Sequence, residues 1–169
     1  ETVFKNGDLN TPNIKSLSKF TYYDNLLSYD LRTREPVNRN NNISYGYEYM
    51  AIILETGKVL TFGKNAYGQL GNGTTTNSST PVEVSTGNGY DGTNAISISS
   101  GGYYTAILLN TNNSGNGAVI MFGENNRGQL GNGTTTNSST SVAVSTGNGY
   151  DGTNATMVSS GYNFTAILL

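Results

Sequence analysis

Short apolar stretches alternate with Gly-, Asn- and Thr-rich segments along most of the chain. Residues 50–54 and 58–62 are two such stretches, and Glu55-Thr56-Gly57 between them is typical of a hairpin turn. Residues 95–99 alternate apolar and polar side chains, as a half-buried strand does. The pattern therefore predicts short antiparallel strands joined by turns, and it favours no helix in this part of the chain.

The same pattern recurs with a long period. The segment 68–80 returns unchanged at 128–140, which is a period of 60 residues, and residues 68–100 differ from 128–160 at only five positions. A third unit begins at Gly161 and continues as one predicted strand. A period of this length is typical of propellers and arrays, whose units bury their faces only against neighbouring units. We therefore predict an all-β fold made of four-stranded antiparallel propeller blades.

An ordered string of residues appears in both units: an aromatic residue and Gly, then Asn, then Gly-Gln-Leu-Gly and a further Gly, at 62–73 and 122–133. This string resembles the regulator of chromosome condensation repeat, and the resemblance covers about residues 46–169. It implies a seven-bladed β-propeller of four-stranded blades. We expect the glycines of this string to allow close packing where blades meet, and Leu70 and Leu130 to fill the core. The motif residues are Gly63, Gly68, Gln69, Leu70, Gly71, Gly123, Gly128, Gln129, Leu130 and Gly131.

Two positions depart from the family pattern. The usual Trp-Gly is Phe62-Gly63 in the first unit and Phe-Gly again in the second. The frequent His ahead of the next strand is replaced by Tyr49, Tyr104 and Phe164. Both changes keep an aromatic ring for packing, so we expect the fold to survive, whereas any contact that needs the imidazole would be lost.

The repeats do not suffice for a closed ring. Propellers close with about four to eight blades, and this sequence offers two complete units and one strand of a third. Three explanations are open: the sequence is the ordered piece of a longer chain, several chains combine, or residues 1–45 contribute further blade strands.

Residues 1–45 differ in kind from residues 46–169. They hold 11 of the 20 charged residues and contain no Gly-Gln-Leu-Gly string. We interpret them either as a divergent blade or ring-closing strand, or as an arm that pairs with a neighbouring molecule. The last residues form an apolar strand, whose edge would pair with another strand in the same or another chain. Head-to-tail pairing of identical chains generates a ring or a filament.

Composition excludes several functional classes. Asn, Thr, Ser and Gly make up half of the chain, charged residues are 12%, the formal net charge is −2, and there is no Cys, His or Trp. Zinc sites built on Cys or His, disulfides, Cys nucleophiles and His-based catalysis are thereby excluded. No pair of carboxylates stands at a spacing suited to acid–base catalysis. We therefore expect no catalytic residues, no cofactor and no metal site, and a protein that is not an enzyme.

Three motifs have simpler structural explanations. The G-x-G-x-x-G strings at 87–92 and 147–152 lead into predicted strands, and a dinucleotide site needs a helix there. Asp91 and Asp151 are expected as turn residues rather than calcium ligands. Only three basic residues lie in 46–169, so nucleic-acid binding is not expected. No apolar stretch approaches the length of about 18 residues that suggests a membrane span.

The sequence contains eight Asn-x-Ser/Thr sequons, which is close to the number that its composition alone produces. The candidates for N-glycosylation are Asn77, Asn137, Asn42 and Asn112, the first two in polar loops. Low charge and the polar bias favour an extracellular or surface location over a cytoplasmic or nuclear one.

These observations predict a non-catalytic structural or protein-interaction propeller whose partners are copies of itself or the missing blades of a longer chain. The family resemblance implies an alternative, a guanine-nucleotide exchange factor for a small GTPase, although no residue for that activity can be mapped. The photoreceptor use of the family depends on Trp clusters and is excluded. Glycan binding by exposed tyrosines such as Tyr90 and Tyr150 is a third hypothesis.

Overall fold

The computed structural model describes residues 29–30, 35–36, 42–111 and 117–169. The chain divides into two compact units, residues 1–39 and residues 40–169. In the first unit, β1 (Tyr29–Asp30) pairs antiparallel with β2 (Glu35–Pro36). The interpretation of residues 1–45 as an arm or a divergent blade falls largely outside the described residues and stays a prediction.

The second unit contains three antiparallel sheets, which we call blades 1 to 3. Blade 1 consists of β3 (Ile43–Tyr45), β4 (Tyr49–Ile53), β5 (Val59–Gly63) and β6 (Ser78–Glu83). Blade 2 consists of β7 (Ala95–Ser100), β8 (Tyr104–Leu109), β9 (Val119–Gly123) and β10 (Ser138–Ala143). Blade 3 consists of β11 (Met157–Ser160) and β12 (Thr165–Leu168). The predicted fold class is confirmed: the described residues contain four-stranded antiparallel blades and no helix, and the blades do not close a ring.

The strand registers follow the hydrophobic pattern. The predicted turn between β4 and β5 is present, with the Gly57 amide donating to the Leu54 carbonyl at 2.8 Å. The third unit differs from the sequence prediction, because it has two strands where we expected one. Val158 of β11 pairs with Ile167 of β12. Blade 3 begins with β11, the counterpart of β7, which lies ahead of the start at Gly161 that the sequence predicts.

The core lies between the blades. Every residue of β8 and β9 is buried, because blade 2 is packed between blade 1 on one face and blade 3 on the other. In β4 only alternate residues are fully buried, since this strand packs on blade 2 through one face. Burying a Leu, Ile or Phe side chain contributes about 1.5 to 3 kcal/mol. The stability of each blade therefore depends on the blade beside it.

Candidate functional site

Tyrosine hydroxyls join the blades at the start of each second strand. Tyr49 lies in blade 1, and its hydroxyl donates a hydrogen bond to the main-chain carbonyl of Tyr104 in blade 2. The Thr105 hydroxyl lies 3.1 Å from the Tyr49 hydroxyl and 3.0 Å from the Gln69 carbonyl oxygen. Burial raises the pKa of Tyr49, because the ionised phenol would lose its hydration. The hydroxyl therefore stays protonated, and able to donate across the blade interface, to a higher pH than an exposed tyrosine.

The next interface repeats this arrangement. Tyr104 donates to the Phe164 carbonyl in blade 3 and lies 3.0 Å from the Gly161 carbonyl oxygen. The Thr165 hydroxyl lies 3.2 Å from the Tyr104 hydroxyl. At the third position the series ends with Phe164, which has no hydroxyl to donate. Tyr49 and Tyr104, which replace the family's His, therefore form hydrogen bonds across the blade interfaces in addition to packing there.

A glycine precedes each of these aromatic residues by three positions. A Cβ atom added to Gly46 would lie 1.8 Å from the Tyr49 ring, and one added to Gly101 would lie 2.0 Å from the Tyr104 ring. Each ring therefore stacks directly on the glycine backbone. Sequence reasoning missed these two tyrosines as hydrogen-bonding residues, although their recurrence after Gly-x-x was a visible signal.

The structure places the motif residues at the turns after β5 and β9. Gln69, Leu70, Gln129 and Leu130 are buried, and Gly63, Gly68, Gly71, Gly123, Gly128 and Gly131 all have positive φ. Asn65, the Asn of the repeat string, organises the first of these turns. Its Oδ1 accepts from the Leu70 amide at 2.9 Å, and its Nδ2 donates to the carbonyls of Thr74 and Thr76 at 3.0 and 3.1 Å. Asn125 does the same in blade 2.

The two turns differ at one buried amide. Gln129 Nε2 donates to Glu124 Oε2 at 3.2 Å. In blade 1 the position of Glu124 is occupied by Lys64, and Gln69 Nε2 is buried without a hydrogen-bond partner among the described residues. Lys64 instead pairs with Glu48 at 2.6 Å. The buried glutamine amide of the first repeat therefore lacks the carboxylate partner that its counterpart has in the second.

The candidate glycosylation sites occupy different settings. Asn77 and Asn137 are exposed, and their Oδ1 atoms accept from the amides of Asn65 and Asn125 at 2.8 Å. Asn42 is exposed beside β3. Asn112 lies outside the described residues. Glycosylation at these positions stays a prediction.

The proposed glycan-binding tyrosines are not exposed. Tyr90 and Tyr150 are buried, and their hydroxyls accept hydrogen bonds from the amides of Val59 and Val119 at 2.8 and 2.9 Å. The polar loop before each strand folds back over the blade, which places the ring in the core. These two tyrosines therefore cannot stack on a sugar, and that hypothesis is wrong for them.

Charge on the blades is sparse, and it serves local turns and ion pairs. Asp91 closes a local turn by accepting from the Thr93 amide at 2.7 Å, and this hydrogen bond lowers the pKa of the Asp91 carboxyl. Among the described residues no three His, Cys, Asp or Glu side chains lie close enough together to hold a metal ion. Lys58 pairs with Glu83 at 2.8 Å.

Within the described part of the chain, no helix is long and apolar enough to cross a membrane.

The first end of the blade array, which we call the head, exposes residues that are buried between blades. Ile43 on β3 is 49% exposed, whereas its counterpart Ile98 packs on blade 1 and is 3% exposed. Met50, Ile52, Leu60 and Phe62 are all half-buried on the same face. Their counterparts in blade 2 are Thr105, Ile107, Ile120 and Phe122, all fully buried. The head therefore has the composition of a blade face that lacks its neighbour.

The opposite end, which we call the tail, is the exposed face of blade 3. Leu168 is 59% exposed, whereas its counterpart Leu108 packs between blades 2 and 3 and is 2% exposed. Phe164 is 68% exposed and is the counterpart of the fully buried Tyr104. A cavity of about 300 Å³ lies between blade 2 and blade 3, with Gly131, Thr165 and Ile167 in its lining. In the first interface the Phe122 ring packs against Gly71, the counterpart of Gly131.

The comparisons with known proteins agree with this geometry. The model of the Regulator of chromosome condensation (RCC1) repeat matches residues 56–108 and 116–168, and a second model of the same repeat matches residues 41–69. The E3 ubiquitin-protein ligase MYCBP2 of Danio rerio is 33% identical over 89 residues, which are 53% of this chain and 2% of that protein. A bifunctional serine/threonine-protein kinase/NEDD4-like E3 ubiquitin-protein ligase of Dictyostelium discoideum is 36% identical over 100 residues, 58% of this chain and 5% of that protein.

Two solved structures show the same fold. Human WBSCR16 has a TM-score of 0.62 at 20% identity, covering 75% of this chain and 29% of that one. Prp20p of Saccharomyces cerevisiae, a protein described with its binding to Gsp1p and histones, has a TM-score of 0.61 at 15% identity, covering 74% of this chain and 30% of that one. The chain thus spans under a third of these structures and a few per cent of the curated relatives. With two repeat matches over most of residues 41–168 and blades of matching fold, the chain belongs to the family of RCC1 repeat proteins.

Proposed function

We propose that this chain is a non-catalytic protein-interaction module that binds other blades through its head and tail. One observation carries the proposal. Leu168 and Ile43 are about half exposed at the two ends, and each has a counterpart that is almost fully buried where two blades meet. Exposed apolar side chains of this kind favour association, because burial of each one contributes about 1.5 to 3 kcal/mol.

The two ends are complementary rather than identical. In the first interface Ala51, Ile53 and Val59 of blade 1 pack against Ile107, Ile120 and Phe122 of blade 2. The tail presents the same kind of face as blade 1 does there, and the head presents the same kind of face as blade 2. A tail therefore fits a head, and repetition of this contact between identical chains is heterologous, giving a ring or a filament.

The tail is only partly formed by the described residues. Blade 3 has counterparts of β7 and β8, but none of β9 and β10 among them. A head-to-tail contact between two chains consequently buries less surface than the contact between blades 1 and 2. We expect association that depends on concentration, and the same ends would bind the further blades of a longer chain more strongly.

Native mass measured by light scattering over a range of protein concentrations tests this proposal. The native mass of the wild type should rise above 17.9 kDa as the protein concentration increases. The native mass of Leu168→Asp should stay at 17.9 kDa. Thr75→Asp, in an exposed loop away from both ends, is the matched control and should behave as the wild type does. A constant monomeric mass for all three proteins would refute the self-association.

The alternative, nucleotide exchange on a small GTPase, makes a different prediction. An exchange factor accelerates nucleotide release as a monomer, whereas an assembly module leaves the release rate unchanged. The binding of Prp20p to Gsp1p belongs to that longer protein, of which this chain matches 30%. No described residue favours exchange activity over association, so association is the function that we propose.

The role of residues 1–45 follows from the same measurement. If these residues form an arm, a chain that lacks residues 1–42 should lose association while keeping all three blades, because β3 begins at Ile43. Unchanged association would exclude the arm.

The extracellular or surface location stays a prediction from composition.

A further inference from the structure

One loop sequence occurs twice in the chain, after β6 of blade 1 and after β10 of blade 2. Residues 85–95 return without change at 145–155. Each loop carries an exposed Asn-Gly pair, which is Asn88-Gly89 in the first loop and Asn148-Gly149 in the second. Because the two loops have the same sequence, a difference in chemical behaviour between the two asparagines has to come from their surroundings.

The backbone of the two loops is also the same. Asn88 and Asn148 have φ angles of 49° and 50°, and the glycines that follow them have φ angles of 90° and 94°. This is the two-residue hairpin turn that Asn-Gly favours. In each turn the flanking Gly and Tyr exchange two main-chain hydrogen bonds of 2.8 to 3.0 Å. The amides of Gly89 and Gly149 make no hydrogen bond among the described residues, so they are equally free to react.

A strand of the next blade holds only the first asparagine. Asn88 Nδ2 donates to the main-chain carbonyl of Ser141, on β10 of blade 2, at 2.6 Å. The Ser141 hydroxyl donates to the Gly87 carbonyl at 3.2 Å, so a second bond joins the same loop to β10. Blade 3 contains no counterpart of β10 in the described part of the chain. No hydrogen bond from a described residue therefore holds the Asn148 side chain.

This difference matters because Asn-Gly pairs rearrange spontaneously. The main-chain nitrogen of the glycine attacks Cγ of the asparagine, and the Cγ–Nδ2 bond breaks. Nδ2 leaves as ammonia, which takes up the proton that the glycine amide loses. Water then opens the cyclic imide and gives aspartate or isoaspartate. Glycine permits the attack, because it carries no side chain that would shield its nitrogen.

The asparagine side chain has to rotate before its Cγ can meet the nitrogen of the glycine. Asn148 can rotate freely, whereas Asn88 must first break its hydrogen bond to the Ser141 carbonyl. The requirement to break one such bond slows a reaction about two- to tenfold. The two main-chain bonds of the turn restrain both asparagines alike, so they do not alter the ratio of the two rates.

We propose that Asn148 is a site of spontaneous deamidation and that the neighbouring blade protects Asn88 from the same reaction. The product carries a carboxylate where, at the first blade interface, an amide donates to a main-chain carbonyl. A modified tail would therefore repel the carbonyl of a following blade. This consequence rests on the proposed association, whereas the reaction at Asn148 does not.

Peptide mapping by mass spectrometry tests the proposal on the full chain. The wild type is kept folded at low concentration in mildly alkaline buffer and is sampled over several weeks. Trypsin cleaves after Arg127, which lies between the two loops, so the two asparagines fall in different peptides. Fragmentation of each peptide then assigns the mass increase to one residue. We expect Asn148 to convert at least about threefold faster than Asn88 in the same molecules.

The chain unfolded in urea is the matched control. Unfolding removes the bond to Ser141 and leaves the two loop sequences identical, so both asparagines should convert at the same rate. Folded Leu168→Asp should show the same ratio as the folded wild type, so a failure of head-to-tail association would not affect this result. The proposal is overturned if Asn148 and Asn88 convert equally fast in the folded chain, if Asn148 does not convert, or if the difference persists in urea.

Discussion

The Tyr49 hydroxyl donates a hydrogen bond to the main-chain carbonyl of Tyr104, the residue that repeats the same contact one blade further on. Both bonds span more than 50 residues of sequence and cross a blade interface. They anchor each blade to the start of the second strand in the next. The series of hydrogen bonds between blades ends at Phe164, which lies on the exposed tail.

Removing the first hydroxyl should weaken the blade interface. Tyr49→Phe deletes the hydrogen bond to Tyr104, although that carbonyl keeps the Gly101 amide as a donor at 2.8 Å. We expect a loss of about 1 to 2 kcal/mol in the free energy of unfolding, measured by urea denaturation. Phe164→Tyr is the control, because it adds a hydroxyl at an exposed position and should change stability by less than about 0.5 kcal/mol. Equal effects of the two substitutions would show that the Tyr49 hydrogen bond does not stabilise the blade interface.

Stability should fall in alkaline solution for the same reason. Burial raises the pKa of Tyr49 above its ordinary value of 10.0, so the folded chain keeps this proton at a pH where the unfolded chain loses it. The contribution is fully present below pH 10 and decreases above it, by up to about 1.4 kcal/mol per pH unit for this group. Urea denaturation at about pH 8 and about pH 11 should show a smaller loss for Tyr49→Phe than for the wild type. The same loss in both proteins would exclude Tyr49 as the source.

The two buried glutamines provide a matched pair. Both accept a main-chain hydrogen bond at Oε1, from Tyr67 at 2.9 Å and from Arg127 at 2.8 Å, but only Gln129 also donates, to Glu124. Gln129→Met should therefore cost about 1 to 3 kcal/mol more than Gln69→Met, because it leaves the buried Glu124 carboxylate short of a donor. Thermal unfolding of both variants measures the difference. Equal costs would mean that the Glu124 contact stabilises nothing.

The sequence predicted the blades better than it predicted their contacts. The strand pairs β4–β5 and β8–β9 could be predicted because each consists of two short apolar stretches on either side of a turn-forming segment. The turns organised by Asn65 could not, since its partners lie 9 and 11 residues away in a loop with no regular pattern. Polar residues surround Tyr90 in the sequence and suggest an exposed ring, and only the folded loop shows that the ring enters the core. The ring contacts of Tyr103 with Tyr47 and Tyr162 join three blades, and no local pattern in the sequence reveals that these rings are close together.

Glycosylation at Asn77 can be tested without disturbing the turn. Asn77→Asp removes the sequon but keeps an Oδ1 acceptor for the Asn65 amide, a bond of 2.8 Å in the wild type. In a glycosylating host we expect a mass decrease of one glycan for this variant and an unchanged melting temperature. Asn77→Ala should lose the same mass and also about 1 kcal/mol of stability. An unmodified wild type would exclude the site.

Head-to-tail association is tested most directly by the native mass of a mixture of two variants. Ile43→Asp blocks the head and Leu168→Asp blocks the tail, and both side chains are already about half exposed, so each variant should fold. Each variant alone should have the mass of one chain, because every contact needs a head and a tail. Mixed in equal amounts, they should form a dimer of twice 17.9 kDa and nothing larger. A mixture that stays monomeric, while the wild type associates, would show that the chains do not meet head to tail.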